Sequence, residues 1–447
     1  MEKRGSFGSR FGTIAAVGGS VIGLGNIWRF PYVAGENGGA AFMLIYLIIS
    51  LLISIPIMLS EFAIGRSTHS NPMRAFSRLA PGTPWKGVGY MGILCAFVIL
   101  SFYCVIAGWA LEFLGDSALN RFAGLTPGQI AGNFDTFVAS GWRPILWTLV
   151  FIGATAFIIL SGIEKGIERY NKILMPVLFL LLAGMAANAM TLDGAREGIA
   201  FLLRPDFGKI TAKTVLEALG QSFFSMSLGM GCMITYGSYL RRNENVLRIG
   251  GMVALSDITV AVLSGLAIFP AVFSFGISPT SGPELVFVTL PNVFARMTGG
   301  YFLSILFFFL LFLAAITSSV SLMEVIVAYL SEEFPVGRKR AVALTAGTVA
   351  VTGSLCALSM IPSSALTVGG MNLFDLCDAL SSNVMMPLGG LLIVLFAGWV
   401  LSPAKLRREL TGGMRYGTRV YPFVRFLIRF VIPVLILLLF LNRTGVL

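Results

Sequence analysis

The chain of 447 residues is 56% hydrophobic and only 12% charged, with a formal net charge of +11. A helix needs roughly 20 apolar residues to cross about 30 Å of hydrocarbon, so this balance predicts a polytopic helical membrane protein and excludes a nucleic-acid binder, because the Lys and Arg residues lie between apolar segments. Five cysteines (95, 104, 232, 356 and 377) and a single histidine, His69, offer neither a disulfide framework nor a His/Cys metal centre.

Residues 1–10 form a basic arm without a small-residue cleavage site, expected to stay in the cytoplasm. Apolar segments follow at 11–34, 40–65, 88–114, 144–162, 170–191, 216–240, 250–275, 301–330, 341–361, 371–401 and 422–442. They are eleven expected spans, numbered one to eleven below. Loops carrying Arg66, Arg74, Arg78, Lys86, Lys165, Arg169, Arg241, Arg242, Arg338 and Lys339 share one side, as does the basic stretch 405–419. The positive-inside rule places that side and the amino terminus in the cytoplasm and the carboxyl terminus outside. Outer loops are expected near 115–143, 192–214 and 276–300, and Glu284 to Met297 is long enough for a re-entrant or capping helix.

Span one is unusual. It carries glycines at 18, 19, 23 and 25, then Asn26 and Arg29 at membrane depth. A glycine costs a helix interior about 1 kcal/mol relative to alanine, so several together favour a break. One reading is a packing face for a neighbouring helix. The other is a broken helix whose freed carbonyls line a cavity or hold an ion. Asn26 and Arg29 favour the second, since packing alone does not require them.

Further along, Gly166 and Pro176 stand near the cytoplasmic start of span five. They permit local unwinding for gating, or a proline held quietly in a membrane helix. In span six the run Ser222-Phe-Phe-Ser-Met-Ser-Leu-Gly-Met-Gly-Cys232 interrupts an apolar helix as span one is interrupted. The two breaks lie about 200 residues apart and each opens a group of five spans, the pattern of an inverted-repeat transporter with a midplane site. In span seven, Asp257 has no adjacent basic residue, so a bound cation is its natural counter-charge.

Span eight contains Thr317, Ser318 and Ser319. Such hydroxyls often bond back to their own helix, but three in a row also supply hard oxygen ligands for a small cation. Arg29 needs a carboxylate partner, and Asp375 and Asp378 in span ten are both candidates. Glu332 and Glu333 sit at a helix end, solvated by default, with Arg4 a partner for one of them.

Gly-Leu-Gly-Asn-Ile-Trp-Arg-Phe-Pro (23–31), Gly-Gly-Ala-Ala-Phe (38–42), Lys-Gly-Ile-Glu-Arg (165–169), Phe-Phe-Ser-Met-Ser-Leu-Gly-Met-Gly (223–231) and Ile-Thr-Ser-Ser (316–319) resemble the neurotransmitter:sodium symporter family. The likeness runs along essentially the whole chain and is greatest to the bacterial amino-acid transporters, including eleven-span members. It implies an all-α integral membrane protein of the leucine-transporter fold in a bacterial inner membrane. A first five-helix repeat (11–191) and an outer loop (192–214) would be followed by a second repeat (215–401). A cytoplasmic loop with the eleventh helix would complete the chain (402–447).

The resemblance further implies two sodium sites. The first would use the Val21 carbonyl, Asn26, Ser225, the substrate carboxylate and Asp257, with Ser256 as competitor for the span-seven position. The second would use carbonyls of Gly19, Ile22 and Ala314 with the hydroxyls of Thr317 and Ser318. Tyr103 would bond the substrate carboxylate and Phe224 would cover the pocket, beside Val21, Gly25 and Ser225. The substrate side chain would meet Ile99, Tyr103, Ile106, Phe224, Ser227, Met230, Ser318 and Leu322, with Gly108 adding depth. Arg29 with Asp378 would form the outer gate, and Arg4 with Glu332, near Tyr239, the inner one. The expected activity is sodium-coupled uptake of neutral hydrophobic or aromatic amino acids, without required chloride, enzymatic chemistry or nucleic acid. A sodium-dependent sensor with the same site but no net transport, or a carrier of another small amino acid, is the alternative.

Overall fold

Apolar segments in hydrocarbon must satisfy their backbone groups internally, and helices do this within a single segment. The computed structural model, which describes residues 5–276, 285–362 and 364–443, is accordingly a bundle of helices. Nine described helices are long and apolar enough to cross a membrane: Ala40–Thr68, Lys86–Ala118, Trp142–Leu160, Ile163–Ala189, Val246–Ser274, Gly300–Glu333, Arg338–Ser359, Leu373–Val400 and Tyr421–Leu438. A tenth crossing is the pair Arg10–Val21 and Gly25–Glu36, bent by 48°.

Span six, expected at 216–240 with an interruption, is broken. It is two short helices, Ala212–Ser225 and Cys232–Gly237, and neither is long enough to cross alone. Length and composition therefore give ten crossings among the described residues, and the eleventh rests on these two halves together. The reason is local. Ser227, Gly229 and Gly231 between the halves all have positive φ (53°, 76° and 77°), which no α-helix contains.

Spans three and eight form the centre. Their apolar windows are 78% and 72% buried, against 39% or less for Trp142–Leu160, Ile163–Ala189, Arg338–Ser359 and Tyr421–Leu438, which lie at the periphery. The broken spans one and six pack within this centre, so both breaks are enclosed by protein.

Span five begins in this structure with a single wide, π-helical turn, Ile163–Glu168, which contains Gly166 and runs on into Arg169–Ala189 with Pro176 inside. Glu168 secures that turn by accepting from the Gly8 N–H at 2.5 Å and the Ser9 hydroxyl at 3.0 Å. In the outer loop, Leu285–Arg296 is a short buried apolar helix, as a capping element requires, whereas Glu284 lies outside the described residues. The only described strands, Thr367–Val368 and Met371–Asn372, form a hairpin that turns through Gly369 and Gly370.

Candidate functional site

The break in span one is held open by a side chain of its own second half and by side chains from other helices. The Gly23 N–H donates to Asn26 Oδ1 (3.3 Å), and the Leu24 N–H donates to the Tyr103 hydroxyl (3.3 Å). From span six, Gln221 Nε2 donates to the Gly25 carbonyl (2.7 Å). The break in span six is served likewise. The Gly229 N–H donates to Glu61 Oε1 (2.8 Å), and the Ser227 hydroxyl donates to the Ser20 carbonyl (2.8 Å). An uncompensated buried amide or carbonyl costs on the order of 1–3 kcal/mol, so these neighbours are what make the irregular backbone tolerable. Gly229 is also sterically required, because a Cβ there would strike the Met386 carbonyl.

Oxygens converge on the carbonyl side of the first break. Thr317 Oγ1 lies 3.2 Å from the Ile22 carbonyl and 3.0 Å from the Ala314 carbonyl. Ser318 Oγ lies 3.4 Å from the Gly19 carbonyl and 3.3 Å from the Ser20 carbonyl. These are the five residues expected for the second sodium site, with Ser20 added. Hard neutral oxygens in such a cluster match a small monovalent cation in chemistry. Ser319 points elsewhere, to Thr155 Oγ1 at 2.8 Å and the Ile316 carbonyl, and is a helix-packing residue.

On the other side of the break sits Asp257, fully buried. Asn26 Nδ2 donates to its Oδ1 (2.7 Å), the Tyr46 hydroxyl to its Oδ2 (2.5 Å), and the Ser225 hydroxyl to Oδ1. All three donors are uncharged, so a carboxylate here lacks a protein counter-charge and would favour a cation. Ser256 turns away and bonds the Met252 carbonyl of its own helix (2.9 Å). Asn26, Ser225 and Asp257 thus come together, and Ser256 does not join them.

Between the two clusters lies a cavity of about 20 Å³, room for little more than a water molecule. Val21, Gly25, Ile99, Tyr103, Phe224 and Ser225 line it, as do Ser227, Met230, Ser318 and Leu322, all of them expected. Ser20 and Gly23 also line it, and the Ser20 hydroxyl is buried without a hydrogen-bond partner. Two expected residues are placed differently. Ile106 is buried but does not line the cavity. Gly108 packs on span four, where a Cβ would come within 2.9 Å of the Thr148 nitrogen, and so adds no depth.

Above the cavity, Arg29 reaches Asp378 Oδ1 (3.4 Å) and the Ser382 hydroxyl (2.8 Å). Asp375 instead faces Asn372, whose Nδ2 donates to it at 2.7 Å, so it is a helix-start residue and not the partner of Arg29. Below, Phe7 is fully buried and its N–H donates to the Tyr239 carbonyl (3.3 Å). The Tyr239 hydroxyl donates to Glu324 Oε1 (2.7 Å), and Arg338 grips both oxygens of Glu324 at 3.0 and 2.6 Å. Glu332 accepts from the Asn71 backbone and Nδ2 (2.9 and 3.0 Å), while Arg4 lies outside the described residues.

Sequence reasoning missed Glu61, Gln221, Tyr46, Glu324 and Ser20. A signal existed for Glu61 and Glu324, since each is an acid inside an apolar segment. Tyr46 and Gln221 carried none, because one polar tip on an apolar helix does not reveal which way it faces.

Paired helix breaks around an enclosed mid-bundle cavity define a secondary transporter, in which half-helix ends and freed carbonyls handle ions and solute. The model of the sodium:neurotransmitter symporter family matches residues 4–124 and 138–445. The chain is 39% identical over 446 residues to the sodium-dependent transporter YhdH of Bacillus subtilis, covering 100% of this chain and 99% of that one. It is 33% identical over 428 residues to MJ1319 of Methanocaldococcus jannaschii, also a sodium-dependent transporter, covering 91% and 84%. The crystal structure of MhsT in complex with L-phenylalanine superposes with a TM-score of 0.92 at 43% identity, covering 98% and 99%. The chain belongs to the sodium:neurotransmitter symporter family, a family of transporters and not of enzymes.

Proposed function

We propose that this symporter takes up neutral hydrophobic and aromatic amino acids across the bacterial inner membrane, driven by sodium. The observation carrying the reading is the cavity itself: its side-chain wall is mostly Ile99, Tyr103, Phe224, Met230 and Leu322, its polar groups are serines and the Tyr103 hydroxyl, and among the described residues no ionisable acid or base lines it. Gly23 packs closely on Ser318 and Tyr103, where even a Cβ would strike the Ser318 hydroxyl. As the cavity opens to admit substrate, its carboxylate would be bonded by Tyr103 and would complete the first sodium site with Val21, Asn26, Ser225 and Asp257. Gly19, Ile22, Ala314, Thr317 and Ser318 would hold the second sodium. The orphan Ser20 hydroxyl is a further polar contact for the bound amino acid. The likeness to MhsT, whose structure holds L-phenylalanine, supports an aromatic substrate.

Alternating access would move the two five-helix halves, 11–191 and 215–401, about this site. Arg29 with Asp378 would close the outside, and the Phe7–Tyr239 contact with Glu324, Arg338 and Glu332 the inside. Asp257 supplies a fixed negative charge near the first sodium, so chloride is not required. The amino terminus would lie in the cytoplasm and the carboxyl terminus outside. Counterflow in proteoliposomes tests the reading. Labelled phenylalanine should accumulate transiently against unlabelled internal phenylalanine in sodium, whereas saturable binding without exchange would identify a sensor.

A further inference from the structure

The first turns of the last helix present an arginine cluster that the transport mechanism does not use. Arg425 and Arg429 lie one turn apart on the helix Tyr421–Leu438, and Arg407 faces them from the short helix Pro403–Thr411. Together they line a groove of about 460 Å³ whose other walls are Thr418, Tyr421, Phe426 and Phe430. No acidic residue lines it, and among the described residues none of the three arginines is in a salt bridge.

Arg429 is fixed in place. Gly398 lets its backbone approach closely, since a Cβ at 398 would meet the Arg429 Cα at 3.2 Å. Trp399 Nε1 donates to the Arg429 carbonyl (3.1 Å), and the guanidinium carbon lies 4.1 Å from the Trp399 ring centre. Its Nε is nevertheless buried without a hydrogen-bond acceptor. Trp399 is next to the last residue of span ten, so Arg429 sits at the level where that span leaves the hydrocarbon. Phe423, Phe426 and Phe430 around it are each about half exposed (55%, 53% and 47%), an apolar surface flanking a cationic pocket.

We propose that this groove binds the phosphate of an anionic phospholipid from the leaflet at the basic end of the bundle. Arg407, Arg425 and Arg429 hold the headgroup, and the acyl chains run over the exposed phenylalanines. Guanidinium forks match phosphate oxygens bidentately, and basic pockets at this depth recognise lipid headgroups. A soluble anion would share the charge but would gain nothing from the phenylalanines.

The test is native mass spectrometry of the detergent-purified protein titrated with phosphatidylglycerol or phosphatidylcholine, wild type against Arg425→Ala/Arg429→Ala. Wild type should retain phosphatidylglycerol about tenfold more tightly than the double variant, with phosphatidylcholine weak and unaffected. Arg425→Lys/Arg429→Lys should recover part of the loss. If the double variant does not purify, Arg407→Ala on the exposed short helix should show a smaller loss in the same direction. Equal phosphatidylglycerol retention by wild type and variants would overturn the proposal. So would displacement of the lipid by inorganic phosphate at matched concentration, which would mark a soluble-anion site.

Discussion

The Arg29 guanidinium carbon lies 4.8 Å from the centre of the Phe224 ring, and this pair separates two cavities. Beneath it is the 20 Å³ cavity at the breaks, and above it one of about 210 Å³ lined by Arg29, Lys213, Glu217 and Ser382. Removing the guanidinium unroofs Phe224 and leaves Asp378 facing only the Ser382 hydroxyl (2.8 Å). Arg29→Ala should therefore slow transport more than it weakens equilibrium sodium binding. Matched uptake and scintillation-proximity binding assays check this, and unchanged transport would take Arg29 out of the gate.

Gln221 and Glu61 are predicted to act through the backbone. Gln221→Leu removes the side-chain donor at the Gly25 carbonyl, which keeps the Phe30 N–H, and should destabilise the protein by about 1 kcal/mol. Glu61→Gln keeps an acceptor for the Gly229 N–H, whereas Glu61→Leu does not. Thermal unfolding in detergent should rank Glu61→Leu well below wild type and Gln221→Leu slightly below it, with Glu61→Gln near wild type. A Glu61→Leu variant as stable as Glu61→Gln would mean that the Gly229 amide finds another acceptor.

How much of this was legible in the sequence varies by element. Clustered glycines marked the break in span one, because backbone freedom is a local property. The Ser-rich run likewise marked span six, although its consequence, two halves too short to cross singly, followed from positive φ angles that residue types only permit. Asp257 was legible as an intramembrane charge, but its distinction from Ser256 required the helix facing. Ile106 and Gly108 were misplaced for the same reason: both are on the right helix, and a turn's rotation decides whether a side chain sees the cavity or a neighbouring span. The Gln221–Gly25 contact joins residues 196 apart and had no local signal.

The proposed chloride independence rests on Asp257. Replacing chloride with gluconate should leave sodium-driven uptake intact in wild type. Asp257→Ser should create chloride dependence or abolish transport, because the buried negative charge is then missing. Strong loss of wild-type uptake in gluconate would show that Asp257 is not the counter-charge.

Met230 lines the cavity. Methionine adapts to irregular shapes and makes favourable contacts with aromatic rings, which is what the proposed preference for tryptophan, tyrosine, phenylalanine and leucine requires. Met230→Phe should shift competition from tryptophan toward leucine or alanine. Each methylene discriminates by only about 1–3 kcal/mol, so the change should appear as a reordered preference and not a lost activity. An unaltered ranking would place Met230 outside the specificity surface.

The most direct measurement is uptake of labelled phenylalanine into proteoliposomes under an imposed inward sodium gradient, with the twenty amino acids as competitors. Accumulation above the external concentration, collapsed when potassium replaces sodium and inhibited best by aromatic and large aliphatic amino acids, is the expected result. Accumulation that survives sodium removal, or competition won by glycine or lysine, would contradict a sodium-coupled hydrophobic site at the two breaks.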